Sequence, residues 1–254
     1  MKILSYNVNG IRAAQQKGLY DWLHQTRYDI ICLQETKAQP EQIDEATLRD
    51  MGYYCHWHSA EKKGYSGVGI LSLLPPDRVV VGCGMPQYDC EGRVLRADFG
   101  DLSVISAYFP SGSSGDERQQ FKMQFLADLR PWLDDLLRQR PQLLLSGDFN
   151  ICHRPIDIHD PIGNKNSSGF LPEERSWLDA LYTNAMSDTF RYFYPDRADQ
   201  YSWWSFRSGA RARNKGWRID YHAASQALVP RLRHAEILPQ IQHSDHCPIS
   251  VELG

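Results

Sequence analysis

Four carboxylates in this chain stand where apolar runs end. Ile30-Ile31-Cys32-Leu33-Gln34 leads into Glu35, Leu144-Leu145-Ser146-Gly147 into Asp148, and Trp217-Arg218-Ile219 into Asp220. Gln242-His243-Ser244 leads into Asp245 and His246, just ahead of Ile249-Ser250-Val251. Amides keep the same company: Lys2-Ile3-Leu4-Ser5-Tyr6 runs into Asn7 and Asn9, and Asn150 follows closely on Asp148. A lone Asp at a strand end is most often a turn residue accepting from backbone N–H groups. Independent turns have no reason to share one polarity, so the set points to a single polar site. Carboxylate and amide oxygens, without a Cys or His pair nearby, suit a hard cation such as Mg²⁺, with Mn²⁺ able to substitute. Mg²⁺ keeps several waters and takes only one or two carboxylates, which leaves the other acids for proton transfer.

Asp220 and His246 read as an orienter and its imidazole. A carboxylate on one ring nitrogen fixes the tautomer and favours the charged ring, which can then bind a phosphoryl oxygen as charge builds. Residues 203–218 carry five cations, no acid and four large aromatics: Trp203, Trp204, Phe206 and Trp217 among Arg207, Arg211, Arg213, Lys215 and Arg218. Cations grip phosphates, while aromatic rings stack on bases or line a sugar pocket. Arg12, Lys17, Lys62, Lys63, Tyr65, Asn164 and Lys165 are further candidates for backbone contacts, each alone equally readable as plain surface. His56 and His58 would share one face of a strand, but no third ligand accompanies them.

These side chains need a scaffold that ends many strands together. Strand-like runs fall at 2–6, 29–34, 53–58, 67–73, 78–83, 93–99, 102–109, 142–146, 200–204, 217–222, 234–238 and 248–253. Helical patterns fall at 18–26, 41–50, 117–139 and 172–185. In the third, Phe121, Phe125, Leu129, Trp132, Leu133, Leu136 and Leu137 recur at helical spacing. Pro172-Glu173-Glu174 marks the start of the fourth. Twelve short strands exceed one ordinary sheet, so two packed sheets covered by helices are expected, in a single domain over 1–254.

At 254 residues the chain is long enough for a substantial core, and an apolar content of 42% with 23% charged residues is ordinary for a globular protein. A net charge of -3 announces no polyanion partner, so any nucleic-acid contact must be local. Six cysteines lack CxxC spacing and read as reduced thiols of a cytoplasmic protein. No apolar leader or membrane-length run is present, and no membrane partner is expected.

The motifs Asn7-Val-Asn9-Gly-Ile-Arg12, Leu33-Gln-Glu35-Thr-Lys37, Gly64-Tyr65-Ser-Gly67-Val and Ala107-Tyr108-Phe-Pro occur in order. Gly147-Asp148-Phe-Asn150, Gly216-Trp217-Arg-Ile-Asp220-Tyr and Ser244-Asp245-His246 follow them. Together they resemble the exonuclease III group of apurinic/apyrimidinic endonucleases, in the endonuclease/exonuclease/phosphatase superfamily, over nearly the whole chain. The resemblance implies an α/β fold, a four-layer α/β sandwich of two mixed sheets flanked by helices, as in deoxyribonuclease I-like proteins. It implies a Mg²⁺-dependent DNA repair nuclease, a monomer that cuts 5′ to abasic sites, removes 3′ blocking groups and digests duplex DNA 3′→5′, acting on duplexes with abasic sites, nicks or blocked 3′ ends. Glu35 would be the main metal ligand, with Asn7 and Asn9 close by and Asp245 at a second metal position or the leaving group. Asp148 would activate water, Asn150 would hold water or phosphate, Tyr108 would contact phosphate or the leaving oxygen, and His246 with Asp220 would bind phosphate. Trp203, Phe206 and Trp217 would line the pocket for a baseless sugar. Gly169 would leave room there, and a bulky residue in its place would favour 3′-end processing.

Two other readings compete. One is a non-catalytic nucleic-acid-associated regulator of the same fold, similar to the catabolite-repression control branch. The other is a small-phosphoester phosphatase. The full set Glu35, Asp148, Asn150, Asp220, Asp245 and His246 argues against the first, and the basic aromatic segment 203–218 against the second.

Overall fold

The computed structural model describes residues 1–254. Its strands are β1 (Lys2–Asn7), β2 (Ile30–Gln34), β3 (Tyr54–His58), β4 (Val68–Ser72), β5 (Arg78–Val81) and β6 (Val94–Phe99), then β7 (Leu102–Tyr108), β8 (Gln142–Asp148), β9 (Met186–Asp188), β10 (Asp220–Ser225), β11 (Leu232–Ile237) and β12 (Ile249–Leu253). The helices are α1 (Ile11–Gln16), α2 (Leu19–Thr26), α3 (Glu45–Asp50), α4 (Pro86–Asp89), α5 (Asp116–Gln139), α6 (Pro172–Asn184) and α7 (Thr189–Phe193).

Two six-stranded sheets form, in the orders β11-β12-β1-β2-β4-β3 and β5-β6-β7-β8-β10-β9. Each is antiparallel except for one central parallel pair, β1 with β2 and β7 with β8. Side chains alternate across each strand and so feed different layers. Ile3, Ile30, Cys32 and Ile70 meet Leu95, Val104, Leu144 and Ala224 between the sheets. On the outer face of the first sheet Leu4, Ile31 and Leu33 pack on Ala14, Leu19, Leu23 and Leu48 of α1–α3. On the outer face of the second, Ile105, Leu143, Leu145 and Ala223 pack on Phe125, Leu129, Leu133, Leu178 and Leu181 of α5 and α6. This is the expected four-layer sandwich.

One end of the inter-sheet layer turns polar. Gln34 receives Ser5 Oγ at 3.3 Å and donates to Ser106 Oγ at 3.0 Å, so a hydrogen-bonded chain joins the sheets beneath the strand ends. Ser5, Gln34 and Ser106 thus each have a partner, as burial demands.

The predicted strand at 200–204 is not one. Trp203 makes only isolated bridges, to Trp217 and to His246, and its stretch is held as a loop between those two segments. The alternating aromatics that imitate a strand have a different cause: Tyr201 and Trp204 enter one small core, while Trp203 packs against another. The run 217–222 becomes a strand only from Asp220. The short strand Met186–Asp188 and the helices Ile11–Gln16, Pro86–Asp89 and Thr189–Phe193 escape the periodicity reading, since each is too short to show a period. All six cysteines are free. No helix is long and apolar enough to cross a membrane.

Candidate active site

Strand register assembles the site. Asp148 stands opposite Tyr108 on its parallel neighbour and opposite Asp220 on its antiparallel neighbour. In the other sheet Asn7 stands opposite Gln34, which places it beside Glu35. The carboxyl ends of both central parallel pairs therefore open at the same edge of the sandwich.

Several of the turns there take the left-handed backbone region: Asn9 (φ 46), Glu35 (φ 49), Lys37 (φ 50) and Asn150 (φ 52). Non-glycine residues in this region carry strain that the surroundings must hold, and such strain gathers at functional sites. Gly147 (φ 151) is needed for space, because a Cβ there would collide with the Ala107 carbonyl of the adjacent strand. The Asp148 turn is locked from below by Phe149, which stacks on Phe109 at 4.4 Å between ring centroids. Lys122, wholly buried, donates to the Asn150 carbonyl at 2.8 Å while paired with buried Glu174 at 2.6 Å.

Asn7 is completely buried and uses its amide nitrogen on two acids: 2.8 Å to Glu35 Oε1 and 2.9 Å to Asp148 Oδ2. Its carbonyl oxygen accepts from the Asn9 backbone N–H at 3.0 Å. The amide thus faces the acids as a donor, a bridge between carboxylates rather than a ligand beside them. Asn9 donates to Asp245 Oδ1 at 2.8 Å and accepts from Lys37 Nζ at 2.5 Å. The same ammonium sits 2.8 Å from Glu35 Oε2. Asp245 also accepts from Trp203 Nε1 at 3.0 Å.

His246 Nδ1 lies 2.9 Å from Asp220 Oδ2, which also accepts from Ser202 Oγ at 2.6 Å. The other ring nitrogen, Nε2, is 3.8 Å from Asp148 Oδ2, too far for a direct bond and open toward the acid. Burial opposes charge on this ring, but Asp220, Asp148 and Asp245 overrule it and raise the pKa to about 10. Asp148 moves the other way from a normal acid. Burial, Asp220 and Glu35 disfavour its anion, against the pull of His246, and its pKa rises to about 8. Asp245 stays ionised below the usual range: burial raises its pKa, but His246 and the donors Asn9, Trp203 and Ser244 lower it further. Burial, with Glu35 and Asp148 close by, keeps the Tyr108 phenol protonated well beyond its ordinary pKa.

Ligand atoms of Glu35, Asp148 and His246 lie within 4.8 Å of one another. The donor set fits a hard divalent cation. Two carboxylates offer oxygen, while an imidazole committed to Asp220 and holding its proton is a poor ligand.

The proposed DNA contacts divide. Arg12, Lys17, Lys63, Lys165 and Lys215 are exposed and Tyr65 is half-buried. Lys17 donates to the His243 carbonyl at 3.1 Å. Arg211 is redirected: its two terminal nitrogens serve the carbonyls of Ser244, His246, Pro239 and Ile241, so it clamps the loop that carries Asp245. Asn164 is likewise spent on the carbonyls of His159 and Asp160 inside its own loop. Trp203 and Trp217 meet edge to face at 6.0 Å beside Phe170 and Ile219. Phe206 does not join them. It is 74% exposed and borders a cavity of about 770 Å³ with Trp204, Arg211 and Asp245. Lys37 and Ser202 are site residues that sequence reasoning missed. Lys37 carried a signal, two positions past Glu35, whereas Ser202 was hidden inside an apparent strand.

Two sheets presenting carboxylates, amides, a phenol and a charged imidazole at one edge define a phosphoester hydrolase. Residues 4–246 match the Endonuclease/Exonuclease/phosphatase family, and the chain belongs to it. It is 40% identical to an exodeoxyribonuclease of Bacillus subtilis across 99% of this chain and 98% of that one. It is 41% identical to the DNA repair nuclease APEX1 of Danio rerio, across 100% of this chain and 82% of the relative. Among solved structures, an AP endonuclease from Archaeoglobus fulgidus superposes with a TM-score of 0.91 at 30% identity, covering 100% of this chain and 99% of that one. The 3′ phosphatase NExo from Neisseria bound to product DNA hairpin does so with 0.92 at 28% identity, covering 100% and 99%. The chain is a hydrolase of phosphodiester bonds, a nuclease of the DNA repair kind.

Proposed function

We propose that this nuclease, using Mg²⁺, cleaves the phosphodiester 5′ to abasic sites and removes blocking groups from 3′ ends of duplex DNA. The observation that carries this reading is the Asp148–His246–Asp220 line, with its 3.8 Å opening between Asp148 and the imidazole. A water on Asp148 and a phosphoryl oxygen on His246 Nε2 would lie side by side against these two atoms, the gap itself being too narrow to hold either between them. Asp148 takes a proton as the water oxygen bonds to phosphorus. The P–O3′ bond breaks in line, and the leaving O3′ takes a proton from solvent water while Asp148 returns its own to solvent, which gives a 3′-hydroxyl on one side and a 5′-phosphate on the other. His246, already charged through Asp220, donates to a non-bridging oxygen where negative charge grows, a stabilisation worth most inside a buried site. Tyr108 keeps its proton and donates to the phosphate or the leaving oxygen. Asp245, held as an anion by Asn9 and Trp203, is unsuited to proton donation and orients its neighbours instead.

Glu35 would be the principal ligand for the cation, with Asp148 beside it and Asn7 fixing both acids. When bound, the cation supplies positive charge to the phosphate and holds Asp148 ionised. Trp203 and Trp217 line the recess for the baseless sugar. An abasic nucleotide has lost its pairing and much of its stacking, so turning it out of the helix costs little and selects the lesion without base reading. Gly169 (φ 93) borders this recess: a Cβ there would lie 3.0 Å from the Asn150 carbonyl oxygen and 3.0 Å from the Trp217 ring.

The test is a nuclease assay on three labelled duplexes: an internal abasic site, a 3′-phosphate nick and an intact blunt end. The reading expects cleavage of the first two with Mg²⁺ and none with EDTA. Failure to cleave any of the three would overturn it.

A further inference from the structure

The loop carrying Tyr65 is built into the site. Its backbone accepts from the turn that bears Glu35, Thr36 N–H to the Gly67 carbonyl at 3.1 Å and Lys37 N–H to the Ser66 carbonyl at 2.8 Å. Behind Tyr65 lie two guanidinium groups and one acid. Arg93 Nη2 donates to the Tyr65 hydroxyl oxygen at 3.1 Å, and Arg118 Nη2 donates to it at 3.0 Å. Glu91 accepts from Arg93 Nε at 2.6 Å and from Arg118 Nη1 and Nη2 at 3.0 and 3.1 Å. Burial works against this carboxylate, yet Arg118 and Arg93 hold its pKa below the usual range. Arg93 is 1% exposed, so its charge is unable to reach a DNA phosphate. Its guanidinium also stacks on Tyr108 at 5.1 Å and donates to the Tyr108 carbonyl at 2.9 Å.

A phenol has one hydrogen and two acceptor positions, and a guanidinium only donates. Two guanidinium donors therefore use up the acceptor side of the Tyr65 oxygen and leave its hydrogen directed away from both. They also polarise the O–H bond toward an anion. We propose that Arg93 and Arg118, balanced by Glu91, are positioning residues that preset Tyr65 as an outward hydrogen-bond donor to a phosphate of bound DNA. The arginine charge is spent inside the network, so Tyr65 meets the phosphate as a neutral donor beside the exposed Lys62, whose Nζ sits 5.3 Å from the Tyr65 ring centroid. One buried cation, Arg93, then steadies both the tyrosine at the reacting phosphate and a tyrosine that reaches a neighbouring one. This inference rests on the nuclease reading.

The test is binding of a duplex containing a stable abasic-site analogue, followed by fluorescence anisotropy in EDTA over a range of salt concentrations. The proteins are the parent, Tyr65→Phe, Arg118→Gln and the double variant. Arg118 lies near the start of α5 with its side chain 27% exposed, so Arg118→Gln leaves the core in place. Each single variant is expected to weaken binding about tenfold, as loss of one charge-assisted hydrogen bond would. The double variant is expected to bind no worse than Tyr65→Phe, because both changes remove the same interaction. The slope of log Kd against log salt is expected to stay at the parent value in all three. Losses that multiply in the double variant would overturn the proposal. A slope reduced by about 0.9 in Arg118→Gln would also overturn it, since that is the signature of a direct phosphate contact. A parent that fails to bind the duplex at all would overturn the nuclease reading together with this inference, a result distinguishable from the other two.

Discussion

Asn7 gives one amide hydrogen to Glu35 and the other to Asp148, and so ties the ends of two strands from different sheets into one site. The two acids would otherwise repel each other. The amide separates them at hydrogen-bonding distance from its single nitrogen and sets which oxygens remain free for a cation and a water. Removal of such a supporting partner typically lowers metal affinity or activity about 10–100-fold. Asn7→Ala is therefore expected to reduce kcat by that range and to raise the Mg²⁺ concentration needed for half-maximal rate. A metal titration of the cleavage rate checks both.

The imidazole of His246 is expected to stay protonated through neutral pH in metal-free protein, with a midpoint near the about 10 set by its three acids. NMR titration of the ring measures this, and Asp220→Asn should bring the midpoint down markedly. The folded pKa lies above the unfolded value of about 6.5, so the ring binds its proton more tightly in the native state. The stabilisation is complete below about pH 6.5 and is lost as pH rises through about 10. Unfolding measured against pH should show the parent's advantage over Asp220→Asn fading across that window.

Asp157 is wholly buried and accepts from Arg191 at 2.6 Å and from Arg218 at 2.8 Å, while Arg218 also reaches Asp188 at 2.6 Å. Arg218 sits between Trp217 and Asp220, so this cluster holds the segment that carries them into β10. Burial favours the neutral acid, but the two guanidinium groups hold the carboxyl far below its ordinary range. Its stabilisation is present above the unfolded pKa of about 3.9 and is lost as pH falls below it. Breaking one partner of a buried pair costs about 3–5 kcal/mol. Asp157→Asn is expected to lower Tm by on the order of 10 °C at neutral pH, and calorimetry at pH 7 and pH 3 should show the difference shrinking at the acid end.

Gly169→His should lower abasic-site incision at least tenfold relative to removal of a 3′-phosphate. The added side chain must enter the space beside Trp217 and the Asn150 carbonyl. Parallel assays on the two substrates check the ratio, and an unchanged ratio would show that the recess does not take the sugar. Because Gly169 has φ 93 and its N–H donates to Glu174 at 2.7 Å, some loss of stability is expected as well.

Much of this architecture is legible in the chain because it depends on long, regular patterns. The helix predicted at 117–139 is Asp116–Gln139, and eleven of the twelve expected runs lie on strands that form. Glu35 and Asp148 are legible for the same reason, since each closes a clear apolar strand run, whereas Asp220 opens its strand and Asp245 precedes one. What stays hidden depends on tertiary partners. Nothing local reports that Asn7 serves two acids from different sheets, or that Arg211 turns inward onto four carbonyls. Ser202 and Arg93 are ordinary letters until the fold brings Asp220 and Tyr65 to them. The stretch 200–204 imitates a strand because its aromatics enter different small cores, a pattern that alternation alone does not separate from a sheet.

The central claim is that Asp148 takes the proton of the attacking water, and Asp148→Asn tests it most directly. The amide keeps the shape of the turn and removes the base. Rates should be measured on a duplex with one abasic site at saturating Mg²⁺, with substrate binding measured alongside. The account predicts a fall in kcat of about 1,000-fold or more, in line with loss of a general base and its charge, with binding within a few-fold of the parent. Cleavage by Asp148→Asn within tenfold of the parent would contradict it.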